Sequence, residues 1–277
     1  MRIGLHISIS GSIDRAVDRA LEIGCTAFQI FTRNPRGWNF SPLTRDEVDS
    51  FVTKSRNSDL LSVTHMPYLP NLASPLTETM VKSRDSLESE VERCGMLKIP
   101  YLVTHLGSHL GYGAERGIKN VANACKAALD KIDNEVMILL ENTAGSQNSV
   151  GSSFDQIREI MDIIDSRRVG VCLDTCHAFA SGYDLRTNER IVETMDEFDS
   201  IVGMKNLKVV HINDSKGDLE SHKDRHEHLG MGQIGEEGFH AFLKRTEIRS
   251  LPLILETPVD DRRPDIGNLK KLRALAS

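Results

Sequence analysis

Val169-Gly-Val-Cys-Leu-Asp174-Thr-Cys-His177 is a short apolar run that stops on a carboxylate and meets an imidazole three residues later. An apolar run of this length with polar ends reads as a buried strand. Runs of the same form recur from one end of the chain to the other. They are Arg2–Ser8, Thr26–Thr32, Leu60–His65, Tyr101–His105, Val136–Glu141, Leu207–Ile212 and Leu251–Glu256, which with Val169–Asp174 make eight. Longer amphipathic segments lie between them. Thr44-Arg-Asp-Glu47 has the form of a capping box, in which the hydroxyl and the carboxylate satisfy free N–H groups of a first helical turn, and Ser153-Phe-Asp-Gln156 has the same form. Met80, Leu87, Val91, Cys94 and Leu97 fall on one face at helical spacing.

Strand and helix alternating eight times without a Pro/Gly/Ser-rich linker predict parallel βα units rather than an antiparallel fold. The 277 residues are close to the roughly 250 of a (β/α)8 barrel. The expectation is an α/β protein, a single TIM-barrel domain over residues 1–277, with an open doubly wound sheet as the alternative. The connection from Asp214 to Gly235 is long for a βα loop, and such loops on this kind of scaffold tend to carry function.

Hydrophobic content of 39% and charged content of 27% describe an ordinary globular chain. No apolar stretch of about 18 residues predicts a membrane span. Met1-Arg-Ile-Gly-Leu-His-Ile-Ser already alternates like a strand, with no signal-peptide pattern before it, so a cytoplasmic protein is expected. Cys25, Cys94, Cys125, Cys172 and Cys176 are scattered and form no CxxC pair, which fits reduced, core-packed thiols. The formal charge of −6 sits awkwardly with binding a polyanion, although three bound divalent cations would offset it.

The ends of the predicted strands carry the chemistry. His65, His105, Glu141, Asp174, His211 and Glu256 stand at or just past the C-terminal ends of the third to eighth strands, one βα unit apart. In a barrel these six side chains converge on the rim that carries active sites. Any one alone has a plainer explanation, such as a helix cap or a partner for a buried N–H. Six together do not, because packing has no use for so many ionisable groups at one rim, whereas divalent cations compensate the burial of neighbouring carboxylates. Two local motifs extend the set: Asp174-Thr-Cys-His177, where the chain turns from strand into loop, and Asp224-Arg-His226, where alternate residues of an extended segment share a side. Nine candidate ligands, five His, two Asp and two Glu, suit three ions, and an imidazole-rich N/O set favours Zn2+, with Mn2+ or Fe2+ as substitutes.

The remaining histidines, His6, His109, His222, His228 and His240, lack a ligand partner at useful spacing and read as packing, hydrogen-bonding or surface residues. Gly230-Met-Gly-Gln-Ile-Gly235 matches GxGxxG but does not directly follow a strand. No nucleotide cofactor is expected, and a backbone loop beside the metals is the better reading.

With these residues in hand, the chain resembles endonuclease IV, the zinc-dependent apurinic/apyrimidinic endonuclease family with a TIM-barrel fold. The resemblance rests on His65-Met-Pro-Tyr-Leu-Pro-Asn-Leu-Ala73, Glu141-Asn-Thr-Ala-Gly145, Gly170-Val-Cys-Leu-Asp174-Thr-Cys-His177, His211-Ile-Asn-Asp-Ser-Lys216 continuing to Asp224-Arg-His226, and Glu256-Thr-Pro258. It implies three zinc ions: one held by His65, His105 and Glu141, a second by Asp174, His211 and Glu256 with Glu141 bridging, and a third by His177, Asp224 and His226. It also implies hydrolysis 5′ to abasic sites in double-stranded DNA, with Glu141 and Glu256 orienting the nucleophile, by a monomer associated with the nucleoid. The loops Asn34-Pro-Arg36-Gly-Trp38 and Tyr68-Leu69 would enter the DNA, Asn34, Arg36, Tyr68 and Leu69 meeting the lesion, where unstacking costs least. Pro70, Glu220 and Lys223 depart from the family pattern without removing a ligand.

A metal-dependent sugar isomerase of the xylose-isomerase-like superfamily is the rival enzyme, since it sets His and carboxylates on the same rim. It needs only one or two metals, so the ligands of Asp174-x-x-His177 and Asp224-x-His226 speak against it. A catalytically dead DNA-damage binder is the non-enzyme rival, disfavoured because no ligand is missing.

Overall fold

The computed structural model describes residues 1–277. Eight parallel strands form the sheet: β1 (Arg2–Leu5), β2 (Ala27–Ile30), β3 (Leu61–His65), β4 (Tyr101–Thr104), β5 (Met137–Glu141), β6 (Val169–Asp174), β7 (Leu207–His211) and, after a two-stranded hairpin of β8 (Asp214–Ser215) and β9 (His226–Glu227), β10 (Pro252–Leu255). Their order is β1-β10-β7-β6-β5-β4-β3-β2, with helices between consecutive strands. Ile7 N donates to Gln29 O at 2.7 Å and Thr26 N to Ile3 O at 2.8 Å, which joins β1 to β2 and closes the barrel. Gly4 makes this closure physically feasible: a Cβ there would lie 1.6 Å from Ala27 O.

All eight predicted strands are present, most of them a residue or two shorter than the apolar runs. Each is buried on both faces, as parallel strands covered by helices must be. Ala27, Val63, Val103, Leu139, Cys172, Val209 and Ile254, one from each strand except β1, fill the barrel interior. Gly4 stands in register with Ile254 on the eighth strand. The larger cluster lies between sheet and helices and includes Phe28, Phe51, Phe154, Phe198 and Phe242.

The Thr44 box forms in full, with hydroxyl and carboxylate both bonded across the first turn. The Ser153 box forms only by half. Ser153 Oγ accepts from Gln156 N, but the Gln156 carboxamide oxygen turns to the N–H of Gly151 at 2.7 Å. Leu87, Val91, Cys94 and Leu97 are buried as their spacing predicted, while Met80 is half-buried. The five cysteines are free and buried, and burial pushes the Cys125 thiol up to about 12, so it is inert at neutral pH. No helix is long and apolar enough to cross a membrane.

Candidate metal centre

The strand ends place the site. His65, Glu141, Asp174 and His211 are the last residues of β3, β5, β6 and β7, and His105 and Glu256 follow β4 and β10 directly. Glu141 sits at the centre and is fully buried. Its Oε2 lies 3.1 Å from His65 Nε2 and 3.0 Å from His105 Nε2, and its Oε1 lies 2.9 Å from His211 Nδ1. His211 Nδ1 is also 3.2 Å from Glu256 Oε2.

Three groups of ligand atoms therefore form, each within 4.8 Å of one another: His65, His105 and Glu141; Glu141, Asp174, His211 and Glu256; and Asp174, His177 and His226. The first two bring together the sets that the family resemblance implies, with Glu141 in both. The third differs. Asp174 belongs to it, whereas Asp224 approaches from the exposed side, its Oδ1 3.2 Å from His177 Nε2 and 3.5 Å from His226 Nε2. The two aspartates thus flank the pair of imidazoles. The expected strand-to-loop turn after Asp174 is instead a short helix, Thr175–Ala180, and Asp174 Oδ1 caps it by accepting from His177 N at 2.7 Å. This cap fixes the carboxylate and swings His177 over it.

The imidazoles are oriented from behind. His65 Nδ1 donates to Met66 O at 2.7 Å, His177 Nδ1 to Asn142 O at 2.9 Å and His226 Nδ1 to Glu256 O at 3.0 Å. A carbonyl only accepts, so in each ring Nδ1 carries the proton and Nε2 is turned toward the cluster. Nε2 of His177 and Nε2 of His226 are buried and lack a hydrogen-bond partner. Buried polar atoms are rarely left so, and carboxylates packed among ring nitrogens are the donor set for a divalent cation. The residues therefore fit a metal centre.

Without a cation, charge is balanced by protons. Burial pushes the Glu141 carboxyl up, but the His105 and His211 charges outweigh it and hold it well below the usual carboxylate range. Burial disfavours charge on His177, yet the Asp174 carboxylate and the nearby Asp224 carboxylate lift it to about 10. His105 and His211 are raised as well, against burial, by the Glu141 and Glu256 carboxylates.

Several residues without a clear sequence signal complete the centre. The Gln29 amide donates to Glu256 Oε1 at 2.6 Å, and a carboxylate accepts only, so its oxygen faces His211 Nε2 at 2.8 Å. The same amide nitrogen lies 3.0 Å from His6 Nδ1, so His6, read from sequence as a packing, hydrogen-bonding or surface residue, bonds Gln29 and lines the cleft beside Glu256. Asn213 joins two candidate ligands, donating to Asp174 Oδ2 at 2.7 Å and accepting from Glu256 N at 2.8 Å. A lone amide inside Ala27-Phe-Gln-Ile30 was the one local hint. The GxGxxG segment holds a carboxylate of its own chain. N–H groups of Gly230, Gly232 and Ile234 donate to Asp214 at 2.9, 2.9 and 3.0 Å, which ties down the connection that carries Asp224 and His226. His228 is buried on Asp260 and Asn268, as a hydrogen-bonding histidine.

The cleft over the cluster has a volume of about 400 Å3, with Tyr68, Thr257 and Val259 on its walls. Tyr68 stands edge-on to Phe31 at 5.1 Å and is 62% exposed, so most of the ring is free to meet a ligand. Leu69, Arg36 and Asn34 are exposed on the same rim. Asn34 Oδ1 accepts from Arg36 N at 3.0 Å, and Tyr68 N donates to Pro35 O at 3.3 Å, so the two loops touch.

A family described as xylose isomerase-like TIM barrels matches residues 17–275. A probable endonuclease 4 of Nitrosopumilus maritimus is 55% identical over the full length of both chains. The crystal structure of endonuclease IV from Thermus thermophilus superposes with a TM-score of 0.88 at 36% identity, covering 99% of this chain and 98% of that one. A D-tagatose 3-epimerase-like protein superposes at 0.72 with 18% identity, over 99% of this chain and 96% of that one, which is a likeness of fold alone.

Proposed function

Because the chain belongs to the endonuclease IV family, we propose that it is a DNA-repair endonuclease that hydrolyses the phosphodiester 5′ to abasic sites in duplex DNA. The products would be a 3′-hydroxyl and a 5′-deoxyribose phosphate, and residues 1–277 would act as one catalytic domain, monomeric and cytoplasmic. The observation that carries the reading is the third ligand group. A sugar isomerase of this fold has no use for His177, Asp224 and His226 beside two other sets.

His65, His105 and Glu141 would hold one zinc ion, and Asp174, His211 and Glu256 a second that shares Glu141. His177, His226 and Asp224 would hold a third, with Asp174 in reach. Bound zinc supplies Lewis acidity, neutralising charge on the phosphoryl group and lowering the pKa of water to about 7. The chain's own contribution is orientation. Gln29 and Asn213 fix Glu256, so that Oε2 lies against His211 Nδ1 and would help to align the attacking water, while Glu141 would do the same from the floor. Asn34, Arg36, Tyr68 and Leu69 would fill the space at the missing base, a wedge that favours damaged DNA because unstacking is cheapest there.

Incubating the purified protein with an abasic-site duplex, with and without chelator, tests this. The expected result is nicking that chelator abolishes and zinc restores, with roughly three zinc ions per chain. Isomerisation of a sugar without nicking, or DNA binding without cleavage in loaded protein, would overturn it.

A further inference from the structure

The helix Thr77–Met96 carries two stripes. Leu87, Val91 and Cys94 face the core, and beside them Ser83, Ser86, Glu90 and Arg93 recur at intervals of three, four and three, the spacing of one helical face. This second stripe is polar, and all four residues are buried, Glu90 completely. Polar groups are buried where they are bonded, and these are bonded almost wholly to the rim segment 32–41. Glu90 accepts from Arg33 Nε at 2.6 Å through one oxygen and from Thr32 Oγ1 at 2.6 Å through the other. Arg93 donates to Thr32 Oγ1 at 2.8 Å, Thr32 O at 2.6 Å and Ser41 O at 3.1 Å, so one guanidinium holds both ends of the segment. Arg33, itself bonded to Ser86, reaches Gly37 O and Trp38 O at 3.3 and 3.2 Å. The Phe40 ring lies 4.3 Å from the Arg33 guanidinium carbon and 5.3 Å from that of Arg93.

The stripe continues under the next loop. Ser83 Oγ accepts from Asn71 N at 2.8 Å, and the Asn71 side chain pairs with the backbone N–H and carbonyl of Ser108. Between these anchors, Arg36 and Tyr68 project from the rim. A buried ion pair is a poor device for stability, since apolar residues of the same volume serve as well, but it fixes geometry. We infer that Glu90 and Arg93 are positioning residues that hold the 34–41 loop, against which Tyr68 rests through Pro35 O, pre-formed for duplex docking, so that binding does not have to order it. The inference rests on the endonuclease reading of the rim.

The test compares zinc-loaded Glu90→Gln, Arg93→Lys and Leu87→Ala with the parent on an abasic duplex. In Glu90→Gln and Arg93→Lys the KM should rise by about tenfold or more while kcat and zinc content hold, because the loop loses its pre-set shape and the metal centre does not. Leu87→Ala loosens the same helix through its apolar stripe and should lower Tm without changing KM. Unchanged KM in both polar variants, an equal rise in Leu87→Ala, or a joint fall of kcat and zinc would overturn the inference. Should Glu90→Gln fail to fold, Arg93→Lys decides, since it keeps the charge and loses only the fork. If the parent neither binds nor nicks the duplex, the endonuclease reading fails instead. Amide exchange in residues 34–41 then tests the positioning role alone: it must quicken in the polar variants and not in Leu87→Ala.

Discussion

Glu141 Oε1 lies 2.9 Å from Nδ1 of His211, 70 residues further along the chain, while the other oxygen of the same carboxylate meets His65 and His105. One fully buried side chain thereby belongs to two ligand groups at once. Buried carboxylates at such spacing are tolerable only with cations between them, whether protons or metals.

That balance predicts a proton exchange. At pH 7 the metal-free protein keeps a proton on His177, whose pKa is raised to about 10, and His105 and His211 are shifted in the same direction. Zinc must displace the His177 proton, so loading should release protons, seen as binding heats that change with the ionisation enthalpy of the buffer. In the metal-free state the His177 contribution to stability is complete below its ordinary value of 6.5 and is lost as pH rises through about 10. Buffer-independent heats would contradict the picture.

Glu256→Gln keeps shape and removes charge where Gln29 already presents an amide donor 2.6 Å away. Nicking in single turnover should fall by more than about 100-fold, beyond the 10–100-fold usual for a partner outside the ligand set. Near-normal cleavage would remove Glu256 from its assigned role.

Gln29→Leu leaves the metal-facing atoms in place but frees His211 and Glu256 to rotate. Zinc affinity in a chelator competition should drop about 10–100-fold, with the fold intact by circular dichroism. Parent-like affinity would mean that the amide only fills space.

Arg36→Ala removes an exposed side chain that makes no hydrogen bond within the chain. Affinity for an abasic duplex, measured by fluorescence anisotropy, should weaken by about 1–3 kcal/mol with zinc content unchanged. Loss of zinc would assign the arginine to the scaffold instead.

Much of this was legible along the chain. The strand period and the residue types at strand ends are local properties, and the barrel turns equal spacing into convergence, so His65, His105, Glu141, Asp174, His211 and Glu256 could be placed together from sequence. Asp224 was half-legible: its nearness to His226 follows from the i, i+2 spacing, but Asp174 reaching the same imidazoles depends on a helix that starts at the strand end.

What sequence alone determined is therefore the order of βα units and the chemistry at their tips. Tertiary structure alone decided which groups hold those tips in place. Gln29 and Glu256 are separated by 227 residues and meet because the first, second and last barrel strands close the ring across Gly4. Arg33 and Glu90, 57 residues apart, pair inside a buried stripe whose residues look like an ordinary solvated helix face until the rim loop covers them. Periodicity reports which face a side chain occupies, whereas a hydrogen bond depends on distances of tenths of an ångström between faces, and only the closed barrel sets those.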